Sequence, residues 1–107
     1  MGDSLRVLKE FPDAVREEMG YAIYLAQDGG KHPHAKPLHG FGSGVLEVVT
    51  DHRGDTFRAV YTVRFAERLF ILHVFQKKSK TGISTPKSEI DLIRQRLKNA
   101  QLLMEKE

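Results

Sequence analysis

The sequence predicts an α+β domain, with two N-terminal helices and one C-terminal helix packed on a small antiparallel β-meander. Three observations carry that expectation. Apolar residues recur at helical spacing from Pro12 to Ala26; three short runs rich in β-branched and aromatic residues are separated by short connectors; and a second helical stripe follows Pro86. A chain of 107 residues is the length of one ordinary domain, so residues 1–107 are read as a single unit.

The first helix is short. Asp3 or Ser4 caps it, Leu5, Leu8 and Phe11 are its apolar positions, and Pro12 ends it or opens the next. The second helix buries Val15, Met19, Ala22, Ile23 and Ala26, and leaves Arg16, Glu17, Glu18 and Gln27 to solvent. Gly29 and Gly30 stop it. The segment "KHPHAKPLHGFGSG", Lys31 to Gly44, has prolines, glycines and histidines but no period, and reads as a loop. Strands are expected at Val45 to Val49, Phe57 to Val63 and Leu69 to Phe75. Their connectors "TDHRGDT" and "RFAER" are short enough for hairpins. Ser84 or Thr85 then caps a helix with Pro86 at its first position, whose stripe is Ile90, Ile93 or Leu92, Leu97 and Leu102.

Composition narrows the function. Apolar residues at 40% and charged residues at 29% are those of a soluble globular domain. The longest apolar stretch, Leu69 to Phe75, is too short to span a bilayer, and the opening residues have no signal-peptide core, so a cytoplasmic location is expected, with no membrane partner. The absence of cysteine removes disulfides, thiolate zinc sites and cysteine nucleophiles. The order of "GFGSG" before a strand fits neither a P-loop nor a dinucleotide fingerprint. Charge is unevenly spread: residues 1–75 are net −1, whereas residues 76–107 are net +4. A basic cluster beside a neutral body suits a phosphate-binding surface, and equally a solvated strand exit.

The candidate chemistry lies on the strands. Alternation in "TFRAVYTV" puts Arg58 on the face opposite Phe57 and Ala59. It could pair with Glu47 of the neighbouring strand, or hold a phosphodiester with two parallel hydrogen bonds. A meander brings Lys77 and Lys78, at the end of the third strand, near Arg58. Metal-free RNA cleavage needs a base for the 2′-hydroxyl, positive charge for the phosphorane and an acid for the leaving 5′-oxygen. Arg58 meets the second need, and Lys77 or Lys78 the second or third. Among the histidines, His73 shares a strand face with Ile71 and Phe75 and reads as a satisfied sheet histidine. His52, between Asp51 and Arg53, is either a turn residue or a proton shuttle. His32 and His34 have weak ligand spacing and no carboxylate or cysteine near in sequence, so neither a metal nor a cofactor is expected.

Taken together, "KPLHGFGSGVLEVV", "FRAVYTV" and "LHVFQKKSKTGISTPKSEIDLIRQRL" resemble the phage-derived HigB-like branch of the RelE/ParE toxin superfamily. The resemblance implies a RelE-like toxin of a type II toxin–antitoxin system, paired with a helix-turn-helix antitoxin of the HigA/XRE type. It also implies a metal-independent endoribonuclease that cuts messenger RNA on the ribosome and so inhibits translation. Carried over by residue, Arg58 matches the strand arginine at the scissile phosphate, and Lys77 and Lys78 match the basic residues at the end of the last strand. Lys36 stands in the KPL element, where some relatives place an acid; Lys36, Arg53, Lys80 and Lys87 are the further cations assigned to RNA. Relatives begin with a short strand that "GDSLRVLKEFP" lacks, which would leave sheet-edge backbone exposed. The lysines of the RelE catalytic strand are replaced by "VLEVV", and no tyrosine follows Tyr61, so proton transfer falls to Glu47 or His52. The alternatives are a ParE-like inhibitor of a protein target such as DNA gyrase, or a remnant that binds only its antitoxin.

Overall fold

The computed structural model describes residues 2–41, 44–62, 68–77 and 87–105, with only the backbone of Lys77, Met104 and Glu105. The chain runs α1 (Ser4–Lys9), α2 (Asp13–Gln27), β1 (Lys36–Pro37), β2 (Val45–His52), β3 (Asp55–Thr62), β4 (Ile71–Lys77) and α3 (Lys87–Glu105). The strands form one antiparallel sheet in the order β1-β2-β3-β4. This is the expected α+β meander with one strand more than the sequence suggested.

Helix α2 buries Val15, Met19, Ala22, Ile23 and Ala26, as its periodicity requires. It ends in a Schellman motif. Gly29 takes φ of 85°, its N–H bonds to the Ala26 carbonyl at 3.1 Å, and the Gly30 N–H reaches back to the Leu25 carbonyl at 2.7 Å. In α1 the expectation needs correction: Leu5 is 56% exposed, and the helix turns Ser4 and Leu8 inward instead. The reason is a polar partner on α3 that takes Ser4, described below. Asp3 occupies the N-cap position without a side-chain capping bond.

The segment read as a loop contains β1, whose Lys36 and Pro37 pair with Glu47 and Leu46. Two residues with no periodicity give no strand signal. Strand β2 extends to His52 and β3 starts at Asp55, so the hairpin turn is only Arg53 and Gly54, with φ of 51° and 88°. Positive φ at both central positions is the type I′ pattern that suits the twist of two paired strands.

The sheet separates two cores. On one face α1 and α2 cover Leu46, Val48, Phe57, Ala59, Tyr61 and Val74. On the other, Ile93 and Ala100 of α3 join Val45, Val60 and Leu72. Strand β4 serves both through an irregularity: Val60 pairs with His73 but Tyr61 pairs with Ile71, leaving Leu72 as an extra residue. Ile71 therefore packs with the first core while His73 does not, which corrects the expectation that the two share a face. In α3, Leu102 is 48% exposed rather than part of the stripe; among the described residues, the second core takes Ile93 and Ala100 from this helix, with Ile90 and Leu97 packed against it. The expected caps Ser84 and Thr85, together with Pro86 and Val63, lie outside the described residues. Among those described, no helix is long and apolar enough to cross a membrane.

Candidate functional site

Arg58 and Glu47 meet on the sheet face that α3 shares. Antiparallel register sets Arg58 of β3 opposite Val49 of β2, so Glu47 is its diagonal neighbour two positions along. The Arg58 Nη1 donates to Glu47 Oε2 at 2.8 Å, and the two side chains are only 9% and 14% exposed. The pairing anticipated from sequence is thus present, and in a buried setting. Lys36 of β1 sits opposite Glu47, so three adjacent strands carry cation, carboxylate and cation, with Lys36 exposed.

At the hairpin end, Lys77 pairs in register with Thr56, two residues before Arg58, while Phe75 pairs with Arg58 itself. The meander thus brings the backbone of Lys77 next to the strand of Arg58, as expected. The Lys77 side chain, and Lys78 and Lys80 entirely, lie outside the described residues. Arg53 is exposed at the hairpin tip, and Lys87 opens α3 with its Nζ donating to Asp91 at 3.0 Å. His52 pairs with Asp55 at the end of β2, half-buried; alternation puts it on the face opposite Arg58. Of the two expected proton carriers, only Glu47 is brought to Arg58.

Beyond Phe75, the same face continues into a polar network that sequence reasoning missed. His73 stacks on Phe75, ring centroids 5.0 Å apart, and is buried. Its Nε2 contacts the Glu89 carboxylate, and its Nδ1 accepts from Arg96 Nη1 at 3.1 Å. Those bonds suit a neutral ring with its proton on Nε2. The same Nη1 donates to the Leu72 carbonyl at 2.9 Å and lies 3.3 Å from Ser4 Oγ, while Nη2 donates to Asp3 Oδ1 at 3.1 Å. Arg96 therefore ties α3 to the start of α1 across edge strand β4. It satisfies the Leu72 backbone carbonyl on a strand at the edge of the described sheet, where such groups have a neighbouring strand on one side only. A signal was available: Glu89 and Arg96 lie four before and three after Ile93, so they fall on the helix stripe that faces the sheet.

One further group of potential ligands stands apart from this face. Glu18 of α2 lies beside His32 and His34, with one donor atom from each within 4.8 Å of the others. The carboxylate that sequence proximity did not supply comes from the preceding helix. Tyr61 faces the α1/α2 core, and burial raises its phenol above the ordinary 10.0.

The family model described as Phage derived protein Gp49-like (DUF891) matches residues 6–98. No curated protein and no solved structure matches the chain significantly. The chain belongs to the Gp49-like family of phage-derived proteins.

Proposed function

We propose, starting from that membership, that this Gp49-like protein is the toxin of a type II toxin–antitoxin pair, a metal-independent endoribonuclease acting on ribosome-bound messenger RNA. Support comes from the motifs that resemble HigB-like toxins and from the phage-derived character of the family. The observation that carries the reading is the Arg58–Glu47 pair on rigid paired strands, beside the strand end that bears Lys77. A guanidinium held in place by a carboxylate is pre-oriented for phosphate oxygens, and little reorganisation is then needed as charge develops on them.

In this proposal, the 2′-hydroxyl gives its proton to Glu47 and attacks the adjacent phosphorus, Arg58 and the lysines at 77 and 78 neutralise the phosphorane, and the ammonium of one of those lysines gives a proton to the 5′-oxygen as its bond to phosphorus breaks. The products are a 2′,3′-cyclic phosphate end and a 5′-hydroxyl end. Glu47 also orients Arg58 through their ion pair. Lys36, Arg53, Lys80 and Lys87 contact the RNA backbone, and a helix-turn-helix antitoxin neutralises the toxin by covering these cations.

The burial of Arg58 favours a second reading, in which its pair with Glu47 only supports the sheet and the chain inhibits a protein target such as DNA gyrase without cleaving anything. Inducible expression with and without the adjacent gene, followed by mapping of messenger RNA 5′ ends, separates them. Growth arrest with cuts confined to translated messages supports the nuclease. Arrest without cuts supports the protein target, and no arrest leaves a chain that only binds its antitoxin. Because Arg58→Ala would take the ion pair away from a largely covered carboxylate and so perturb the fold, the double substitution Arg58→Met with Glu47→Leu is the appropriate probe. It should remain folded by circular dichroism and lose toxicity; a folded, fully toxic double variant would remove the pair from the mechanism.

A further inference from the structure

We propose that Glu18, His32 and His34 form a site for a divalent transition-metal ion of the zinc class, which clamps the segment leading into β1 onto α2. This inference does not rest on the RNA-cleavage reading, and the ion takes no part in that chemistry.

The site follows from how the chain reverses after α2. The Schellman stop at Gly29 and Gly30 folds the following residues back along the helix they have just left. His32 then packs edge-on against Tyr21, with centroids 5.8 Å apart, one helical turn from Glu18. His34 follows two residues later, and its Nδ1 lies 3.6 Å from Glu18 Oε1. The two imidazoles stand beside each other, 5.2 Å between centroids.

Two imidazoles and one carboxylate suit zinc, nickel or copper, whereas magnesium and calcium take all-oxygen sets. Zinc bonds of about 2.0–2.2 Å put its ligand atoms roughly 3.3–3.6 Å apart in a tetrahedron. The present limit of 4.8 Å therefore closes with a shift of about 1 Å. The exposed His34 ring and the half-buried Glu18 carboxylate have room to make it. Solvent completes the coordination on the exposed side, as at zinc sites with three protein ligands.

Binding must also displace one hydrogen bond. His32 Nδ1 accepts the His34 backbone N–H at 3.0 Å. An ion on Nδ1 takes that lone pair, and an ion on Nε2 requires the ring proton to move to Nδ1, where it meets the amide. Either route releases the His34 amide, which makes it a specific reporter. Lys36 lies two residues beyond His34 and pairs with Glu47, so the clamped segment leads directly to the sheet edge beside the Arg58 pair.

The test is titration of the tag-free full chain with zinc alone, by calorimetry and by amide nuclear magnetic resonance. The expected result is one saturable equivalent per chain, with the largest amide shifts at His32 and His34 and a rise in melting temperature. Loss of an outer-shell partner already weakens metal binding by about 10–100-fold, so Glu18→Gln or His34→Ala should each weaken it by at least about tenfold. Both positions are at least partly solvent-exposed, and unchanged circular dichroism spectra establish that the variants fold. His39→Ala, at an exposed histidine outside the group, should bind as the wild type does. No saturable binding, undiminished binding in the Glu18→Gln, His34→Ala double variant, or an equal loss in His39→Ala would overturn the site.

Discussion

The two faces of the sheet are built on different physics. Under α1 and α2, the contacts joining helices to strands are those of Leu8, Phe11, Val15, Met19, Val48 and Phe57, an apolar layer that includes an edge-to-face pair between Phe11 and Phe57 at 4.8 Å. The α3 side has a smaller apolar patch around Val60, Leu72 and Ile93, and beside it Glu47–Arg58 and the His73–Glu89–Arg96 network are buried or half-buried. Apolar burial contributes about 25 cal/mol per Å² without directional demands. Buried ion pairs regain in attraction roughly what they lose in desolvation, so stability alone does not account for placing them there. The contrast assigns most of the folding energy to the first face and makes the second the place to look for chemistry.

The sharpest way to break this comparison is to remove one charge of the buried pair. Arg58→Ala or Glu47→Ala should destabilise the fold by up to about 3–5 kcal/mol, because the remaining charge loses its ion pair in a largely covered setting. Replacing both, as Arg58→Met with Glu47→Leu, should recover most of that loss or exceed wild-type stability. Met19→Ala in the apolar face, expected to cost about 2–5 kcal/mol, leaves a cavity and no charge to be rescued by a second deletion. Urea unfolding of the four variants at neutral pH measures all of this. A double variant as unstable as the singles would mean that the pair stabilises the protein outright, and the distinction between the faces would fall.

The faces also differ in how far the sequence disclosed them. Helix α2 was legible to the residue because its five buried positions follow one period and two glycines mark its end. The three long strands were legible because β-branched runs bounded by short connectors have few other solutions. Strand β1 was not, since two residues such as Lys36 and Pro37 carry no pattern and owe their conformation to pairing with β2. The irregularity at Leu72 was equally hidden, and it decides which face receives Ile71 and which receives His73. For the candidate site, the Glu47–Arg58 pair could be anticipated from neighbouring strands. The partners of His73 could not, because Glu89 and Arg96 reach it from a helix whose packing no local pattern specifies. Glu18 came to the two histidines in the same way, through a chain reversal rather than through sequence spacing.

A smaller test probes whether the apolar face is as dry as its composition implies. The Tyr61 hydroxyl is fully buried there with no hydrogen-bond partner among the described residues. Its desolvation is already unfavourable in the folded state, which is also why the phenol titrates above its ordinary value. Tyr61→Phe removes the polar atom and keeps the ring, so stability should stay unchanged or rise by up to about 1 kcal/mol. A loss beyond about 1.5 kcal/mol would show that the hydroxyl is hydrogen-bonded in solution, and that this core has polar content too.

The smallest expected effect, at the outer end of the α3 network, separates its charge from its geometry. The hydrogen bond from the Arg96 guanidinium holds the Asp3 carboxyl below its ordinary value of 3.8. A carboxyl depressed in the folded state contributes stability above the unfolded value, and that contribution is lost as pH falls from about 4 toward the folded value. Asp3 is 43% exposed, so screening by water limits the pair to about 0.2–1 kcal/mol. Asp3→Asn is the informative change, because asparagine caps a helix as well as aspartate does and leaves the carboxylate charge as the variable. The variant should be slightly less stable than wild type at neutral pH, and the two should converge below pH 4. Arg96 would meanwhile keep its bonds to Leu72 and His73 in both proteins. If the gap instead stays constant down to acid pH, then what Asp3 supplies is position rather than charge, and the network on this face is anchored by Arg96 and His73 alone.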